Sequence, residues 1–292
     1  MIGKVTKRYW PIFVLPTLAA FVIGFVWPFI WGVYLSFCKF TTVSNVKFVG
    51  LQNYKNIFID NTFTHAFWYT VLFTVVSSVL INVLAFVVAL LLTKGLKGTN
   101  IFRTVFFMPN LIGGIVLGYI WQTLLNGILV TIGQPLLQLS EKNGFWGMII
   151  LLCWQQIGYM MIIYIAGLQA VPDDIIEAAK IDGATKSQTL FRVIIPNVMP
   201  SITICTFLSL TNGFKLFDQN LALTGGQPFV IQPDGSSIKT TEMLALNIFN
   251  TFYGSNSASS GQAQAKAVLF FILVAALGLI QLGITRKREV QQ

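Results

Sequence analysis

The sequence predicts an all-α polytopic membrane protein with six transmembrane helices, a helical cytoplasmic loop between the fourth and fifth, and both termini cytoplasmic. Three observations predict it. Of the 292 residues, 55% are hydrophobic and only 10% are charged, against about 45–50% and about 25% in soluble domains. The mean hydropathy is +0.73 over the whole length, so the apolar excess is not one patch, and a soluble core would leave much of it facing water. The basic residues, finally, gather in short tracts between apolar runs, as orientation in a bilayer requires. Together these exclude a cytosolic enzyme. The net charge of +9 reads as membrane orientation and not as a nucleic-acid surface.

A helix needs about 20 mostly apolar residues to cross the hydrocarbon. Apolar stretches, free of charge except for Lys215 near the end of the fifth, predict spans at about 10–37, 67–93, 104–126, 145–170, 197–217 and 267–285. The first follows Lys4, Lys7 and Arg8 and runs through Trp27, Trp31 and Phe37. That is longer than the ~7–15 residues of a signal h-region, so it reads as a retained anchor. Residues 243–265 are also uncharged but rich in Ser, Asn and Gly, and are assigned to a loop. In the third span Gly114 and Gly118 form a small-xxx-small pair that permits close helix packing.

Orientation follows from Lys and Arg. Four short tracts hold Lys4, Lys7, Arg8; Lys94, Lys97, Arg103; Lys180, Lys186, Arg192; and Arg286, Lys287, Arg288. These are predicted cytoplasmic. The remaining connections, about 38–66, 127–144 and 218–266, face outward and hold their basic residues in much longer sequence. The longest carries Gly225-Gly226, Pro228, Pro233, Asp234-Gly235 and Ser236-Ser237, all turn material. Residues 1–292 are read as one transmembrane domain without an appended soluble part. Cys38, Cys153 and Cys205 are widely spaced and His65 is the single histidine. Neither a disulfide framework nor a metal site is expected, and no cofactor bound by this chain.

The connection from Val171 to Pro200 is not a passive loop. Pro172 fits the start of a helix, and Asp173 and Asp174 complement its positive N-terminal end. Ile175, Ile176 and Ala179 share a face, and Asp182-Gly183 supplies a stop, with Gly183 suited to a left-handed cap. A second amphipathic stretch, Ser187 to Ile195, has Leu190, Phe191 and Ile194 as its stripe. Pro196 and Pro200 mark the entry to the fifth span. A short capped helix on such a support is a stiff lever whose Ala178 and Ala179 admit a partner's groove and whose Glu177 offers it a charge. A helix lying on the bundle or in the lipid interface is the other reading.

Glu177-Ala178-Ala179, Asp182-Gly183-Ala184, Phe191, Ile194, Pro196 and Pro200 resemble, in order and spacing, the EAA loop of binding-protein-dependent ABC importer permeases. FVGLQNYKNIF (Phe48–Phe58), FRTVFFMPNLIGGIVLGYIW (Phe102–Trp121) and FDQNLALTGGQP (Phe217–Pro228) resemble the carbohydrate branch, the maltose-type and glycerol-3-phosphate-type permeases. The likeness covers nearly the whole chain. It departs at Gln227, where the family often has Gly, and at Ile195, where Leu usually precedes the proline. The resemblance implies that Glu177, Ala178, Ala179, Asp182 and Gly183 dock in a cleft of a cytoplasmic ATPase. It further implies a second six-span permease, usually a different chain, two ATPase copies, an extracytoplasmic binding protein and a bacterial inner membrane.

No segment reads G-x-x-x-x-G-K-[ST], so the chain lacks a Walker A cradle; ATP and Mg belong to a partner subunit. Spans one to four contain no ionisable residue, and Lys215 and Asp218 are placed at the outer end of span five. That disfavours an ion-coupled carrier, which usually needs an intramembrane carboxylate, although backbone carbonyls also bind sodium. What remains inside is neutral and polar: Asn82, Gln155, Gln156, Tyr159, Ser209 and Asn212. Gln155 and Tyr159, and Ser209 and Asn212, pair at helical spacing and suit the hydroxyls and ring face of a sugar. By the resemblance, Gln155, Gln156, Tyr159, Ser209 and Asn212 look on the translocation pathway; interhelical hydrogen bonding is the other use of such groups. The expected function is half of the pathway for a carbohydrate. An ion-coupled secondary carrier and an ABC permease for a non-sugar substrate are the alternatives.

Overall fold

The computed structural model describes residues 2–42, 45–95, 97–233, 235–254 and 260–286. Lys287 and Arg288 of the last basic tract and Asp234 of the turn-rich loop lie outside them. The chain forms two compact units, Met1–Asp60 with Ile248–Ile272 and Asn61–Asn247 with Leu273–Gln292. Among the described residues five helices are long and apolar enough to cross a membrane, or six if the pair Lys186–Asn197 and Met199–Phe214, bent by 71°, is one span. The helical expectation therefore holds. The loops add two antiparallel hairpins of three-residue strands, Cys38–Phe40 with Val46–Phe48 and Phe229–Ile231 with Ser237–Lys239.

In the first unit the chain runs helical from Ile2 to Ser36, with a π-helical turn at Val22–Val26. Gly32 faces Gln264 of the last helix: a Cβ there would stand 2.6 Å from the Gln264 amide nitrogen. That last helix runs from Ser260 to Arg286, seven residues longer at its start than the sequence predicts. The reason is Lys266, read as a loop residue because it is charged. It is 1% exposed, and its Nζ donates to Asp60 Oδ2 at 2.8 Å and to Thr251 Oγ1 at 3.0 Å. An ammonium so paired is tolerated inside a helix bundle. Residues 244–253 of the rejected stretch form a helix of their own, Leu244–Tyr253.

The second unit is built on Asn61–Leu92 and Glu141–Gln169, whose facing sides form the main core with Phe73, Ile81, Met148, Leu152, Met160 and Tyr164. Ser140 caps the latter by accepting from the Asn143 N–H, as an N-cap serine does. The predicted third span, 104–126, is not one helix. Thr99–Phe107 ends in a 3₁₀ turn, Met108–Leu111, and the crossing resumes as Gly114–Thr131. Pro109 and the extended Ile112 and Gly113 (ψ 133° and 139°) make the break. The predicted fifth span, 197–217, stops at Phe214, and a short helix, Asp218–Leu223, follows after Lys215–Phe217.

Candidate functional site

The segment 171–200 folds as a capped lever. Pro172, in extended conformation, precedes the helix Asp173–Ile181 as its N-cap, one place earlier than the first turn. At the other end Gly183 takes φ +77°. Its N–H reaches Lys180 O at 3.1 Å while the Ala184 N–H reaches Ala179 O at 3.0 Å. This double closure is the Schellman arrangement, and only glycine enters it without steric cost. The inner side is narrower than the sequence suggests. Ile176 packs against the main core and Ala179 is half-buried, but Ile175 is exposed. The opposite face presents Asp174, Glu177, Ala178 and Ile181, all exposed, the last by 86%. Asp182 and Gly183 are exposed beside it.

The support begins at Thr185, where a capping box with Gln188 starts the helix Lys186–Thr189. The T-x-x-Q spacing that signals it was legible and lies two residues before the predicted Ser187. The helix continues as a π turn, Leu190–Ile194, and Ile195–Asn197 before the bend into Met199–Phe214. Ile194 joins Ile176 against the core, whereas Phe191 stays 65% exposed. A cavity of about 500 Å³ lies under the lever, lined in part by Lys94, Gln169, Asp173, Ile176 and Ile194.

Gln155 is the central residue of Glu141–Gln169, so it marks the mid-height of that helix. One break and the short helix that follows the other meet it there. Its Nε2 donates to Ile112 O at 3.3 Å, and its Oε1 accepts from Gln219 Nε2 at 2.7 Å. The Gly113 carbonyl accepts from the Leu117 N–H at 3.1 Å, but the extended Ile112 turns its carbonyl out of the helix, and a bilayer interior tolerates that only where protein or a cavity supplies a partner. Gln155 supplies one. The short helix Asp218–Leu223 packs along Gly114–Gln122. A Cβ on Gly114 would stand 2.8 Å from Asp218 Cβ, and one on Gly118 would stand 2.5 Å from Ala222 Cβ. The predicted small-xxx-small pair is thus the seat of this helix. Gln122 Nε2 closes its end by donating to Ala222 O and Leu223 O, both at 2.9 Å.

Below this helix lies a cavity of about 250 Å³ lined by Leu152, Gln156, Asn212, Lys215, Leu216, Phe217, Asp218 and Gln219. Asn212 Nδ2 donates to Gln156 Oε1 at 3.2 Å on its wall. The structure therefore separates the five predicted pathway residues. Gln156 and Asn212 line the cavity. Gln155 is 5% exposed and holds the breaks together. Ser209 is 1% exposed and sits in an interhelical network, 2.6 Å from Ser78 Oγ and accepting from Asn82 Nδ2 at 2.8 Å. Tyr164 closes that network by donating to Asn82 Oδ1 at 2.7 Å. Tyr159 is half-buried against the core. Lys215, Phe217, Asp218 and Gln219 are cavity residues that sequence reasoning missed. Lys215 was read only as the end of the fifth span, whose helix stops at Phe214, and Pro109 with Gly113-Gly114 was the overlooked signal for the break in the third.

The chain matches the family of binding-protein-dependent transport system inner membrane components over residues 81–289, and it belongs to that family. It is 40% identical, over 97% of its length and 95% of the relative's, to a probable starch degradation products transport system permease protein of Thermoanaerobacterium thermosulfurigenes. It is 33% identical, over 99% of both chains, to a multiple sugar-binding transport system permease protein of Streptococcus mutans. Its fold matches a bacterial ABC transporter involved in the import of the acidic polysaccharide alginate with a TM-score of 0.79, at 20% identity over 98% of each chain. The chain is thus a multi-pass membrane permease component. Asp218 lines the cavity with Gln156 and Asn212, and family membership, not a missing carboxylate, bears on ion coupling.

Proposed function

We propose that this chain is one permease subunit of an ATP-driven importer, supplying half of the translocation pathway for a sugar or oligosaccharide. A soluble binding protein brings the substrate to the outer face, a second and different six-span permease completes the pathway, and two copies of a cytoplasmic ATPase bind ATP and Mg and drive it. The whole chain acts as one transmembrane domain of a bacterial inner membrane. The observation that carries this reading is the lever itself: a helix sealed at Gly183 whose face opposite Ile176 is exposed and presents Glu177, Ala178 and Ile181.

Closure of the ATPase pair pushes on Glu177, Ala178, Ala179, Asp182 and Gly183. Ile176 and Ile194 pass that displacement into the core between the second, fourth and fifth crossings. The spans respond where they are already broken, at Ile112–Gly113 and Lys215–Phe217, the first and the helix after the second meeting at Gln155. A shift there changes which side the cavity opens to, because packed interfaces switch between discrete arrangements. Neutral amides at Gln156, Asn212 and Gln219 bind hydroxyls in either geometry without demanding a charge. Relatives whose names refer to starch products and multiple sugars support a carbohydrate cargo.

The test is to purify the tagged chain from its native membrane in mild detergent and identify what accompanies it. A second six-span chain and a Walker A ATPase are expected. A chain that emerges alone and still transports without ATP sinks the proposal.

A further inference from the structure

The motif Phe48–Phe58 takes no part in the lever or the cavity, yet its residues hold a definite place. The helix Gln52–Ile59 is tied to the exit of the first span. Asn53 Nδ2 donates to Ser36 O at 2.8 Å and to Cys38 O at 2.9 Å. The Tyr54 hydroxyl stands 2.7 Å from Ser36 Oγ, and its ring centroid 5.3 Å from that of Phe37. Ile57, fully buried, completes the inner side. The height of this attachment is marked by Trp31 and Tyr34 in the closing turns of the same span. They are 42% and 44% exposed, with ring centroids 5.2 Å apart. Exposed Trp and Tyr at the end of a span sit where hydrocarbon meets headgroups. Ser36 lies two residues beyond Tyr34, a rise of about 3 Å. The helix is therefore pinned at headgroup depth.

Its free side fits that depth. Leu51, Lys55, Phe58 and Ile59 stand at i, i+4, i+7 and i+8 and share one face, opposite the buried Asn53 and Ile57. Leu51, Phe58 and Ile59 are 60%, 75% and 79% exposed. A lysine among them lays its stem along apolar surface and raises its ammonium to the phosphates. The adjoining hairpin adds two more. Lys39 and Lys47 are register partners, both exposed, and like charges directly opposite destabilise a strand pair unless an anion answers them. The one acid in residues 38–60 is Asp60, and it is held by Lys266 at 2.8 Å.

We propose that this helix and hairpin form an interfacial anchor: Lys39, Lys47 and Lys55 bind lipid headgroup phosphates, and Leu51, Phe58 and Ile59 enter the acyl boundary. The anchor fixes the depth of the first span, from which the last helix takes its own position through Gly261, packed on the Cys38 carbonyl. An acidic protein surface would answer the lysines but gives no reason for three large apolar side chains at the level of the aromatic belt.

The experiment places a nitroxide at Phe58→Cys in the full chain with its co-purifying subunits, in nanodiscs containing phosphatidylglycerol. Ile59→Cys is the second site should the first variant fail to assemble. The native Cys38, Cys153 and Cys205 are buried, and the unsubstituted chain taken through labelling is the blank. Collision with oxygen is expected to exceed collision with a water-soluble nickel chelate, with and without added binding protein. Combined Lys39→Glu, Lys47→Glu and Lys55→Glu is expected to shift the ratio toward nickel. Nickel dominance throughout would overturn the anchor. Nickel collisions that fall only when binding protein is added would overturn it in favour of protein docking. An unchanged ratio in the lysine variant would overturn phosphate binding.

Discussion

The lever and the mid-height junction are both interrupted helices, but they are interrupted for opposite ends. At Gly183 the interruption is sealed: a left-handed residue and two short backbone hydrogen bonds satisfy the helix end locally. At Ile112–Gly113 and Lys215–Phe217 local backbone bonds are joined by distant ones: Gln155 donates to the Ile112 carbonyl and accepts from Gln219, two residues past Phe217. A locally sealed helix moves as one body. A junction completed by side chains from three crossings rearranges when any of those crossings moves. Under the proposed function, this difference gives transmission to the first region and switching to the second.

The largest effect is expected from Gly183→Val. A branched residue at φ +77° is strained by about 1–2 kcal/mol per left-handed residue, enough to unseat the cap. Transport and substrate-stimulated ATP hydrolysis should fall about tenfold or more, with the chain still inserted and still co-purifying. Normal transport in this variant would break the distinction between the regions, since the seal would then be irrelevant to transmission.

Gly118→Leu attacks the other region through the seat of Asp218–Leu223. Its Cβ would start 2.5 Å from Ala222 Cβ, and overpacking of this kind costs about 1–3 kcal/mol. The expected outcome is a lowered Tm of the purified complex and slower transport. Adding Ala222→Gly to the milder Gly118→Ala should recover most of the loss. Failure of that pair to compensate would mean the two residues do not meet.

Gln155→Leu should cost less, since membrane interhelical hydrogen bonds are each worth about 0.6–2 kcal/mol. Its expected signature is ATP hydrolysis that no longer depends on substrate, because the breaks lose their common tether. Smallest in stability are Gln156→Ala and Asn212→Ala, which share a single 3.2 Å interhelical bond and should each cost about 0.6 kcal/mol. They should raise the KM for transport severalfold while barely lowering Tm. An unchanged KM in both would remove the cavity from the substrate's path.

The lever was legible in the sequence because each of its parts is a local signal. Asp173-Asp174 at the start, Gly183 at the stop and the two prolines before the fifth span act through their own backbone neighbourhood. Its inner face was only half right. Ile175 turned outward because the core reaches Ile176 and stops there, which no periodicity reveals. The junction was largely hidden. A hydropathy scan treats Phe102–Trp121 as one apolar run, although Pro109 and Gly113-Gly114 stand inside it, and it carries the fifth span to Phe217, past the helix end at Phe214. Lys266 misled in the same way, because a charge that finds Asp60 and Thr251 is no bar to a buried helix. The neutral polar residues were found but not sorted. Whether Ser209 faces a cavity or a neighbouring serine depends on the second crossing, more than a hundred residues earlier in the chain.

The central claim is that displacement of the lever changes which side the cavity opens to. Asn212→Cys in the assembled transporter, challenged from each side with a membrane-impermeant thiol reagent, tests it most directly; the three native cysteines are buried. Without nucleotide, modification is expected from the cytoplasmic side only. With ATP and loaded binding protein it is expected from the outer side only, and Gly183→Val should abolish the change. Modification from the same side in every state would contradict the account.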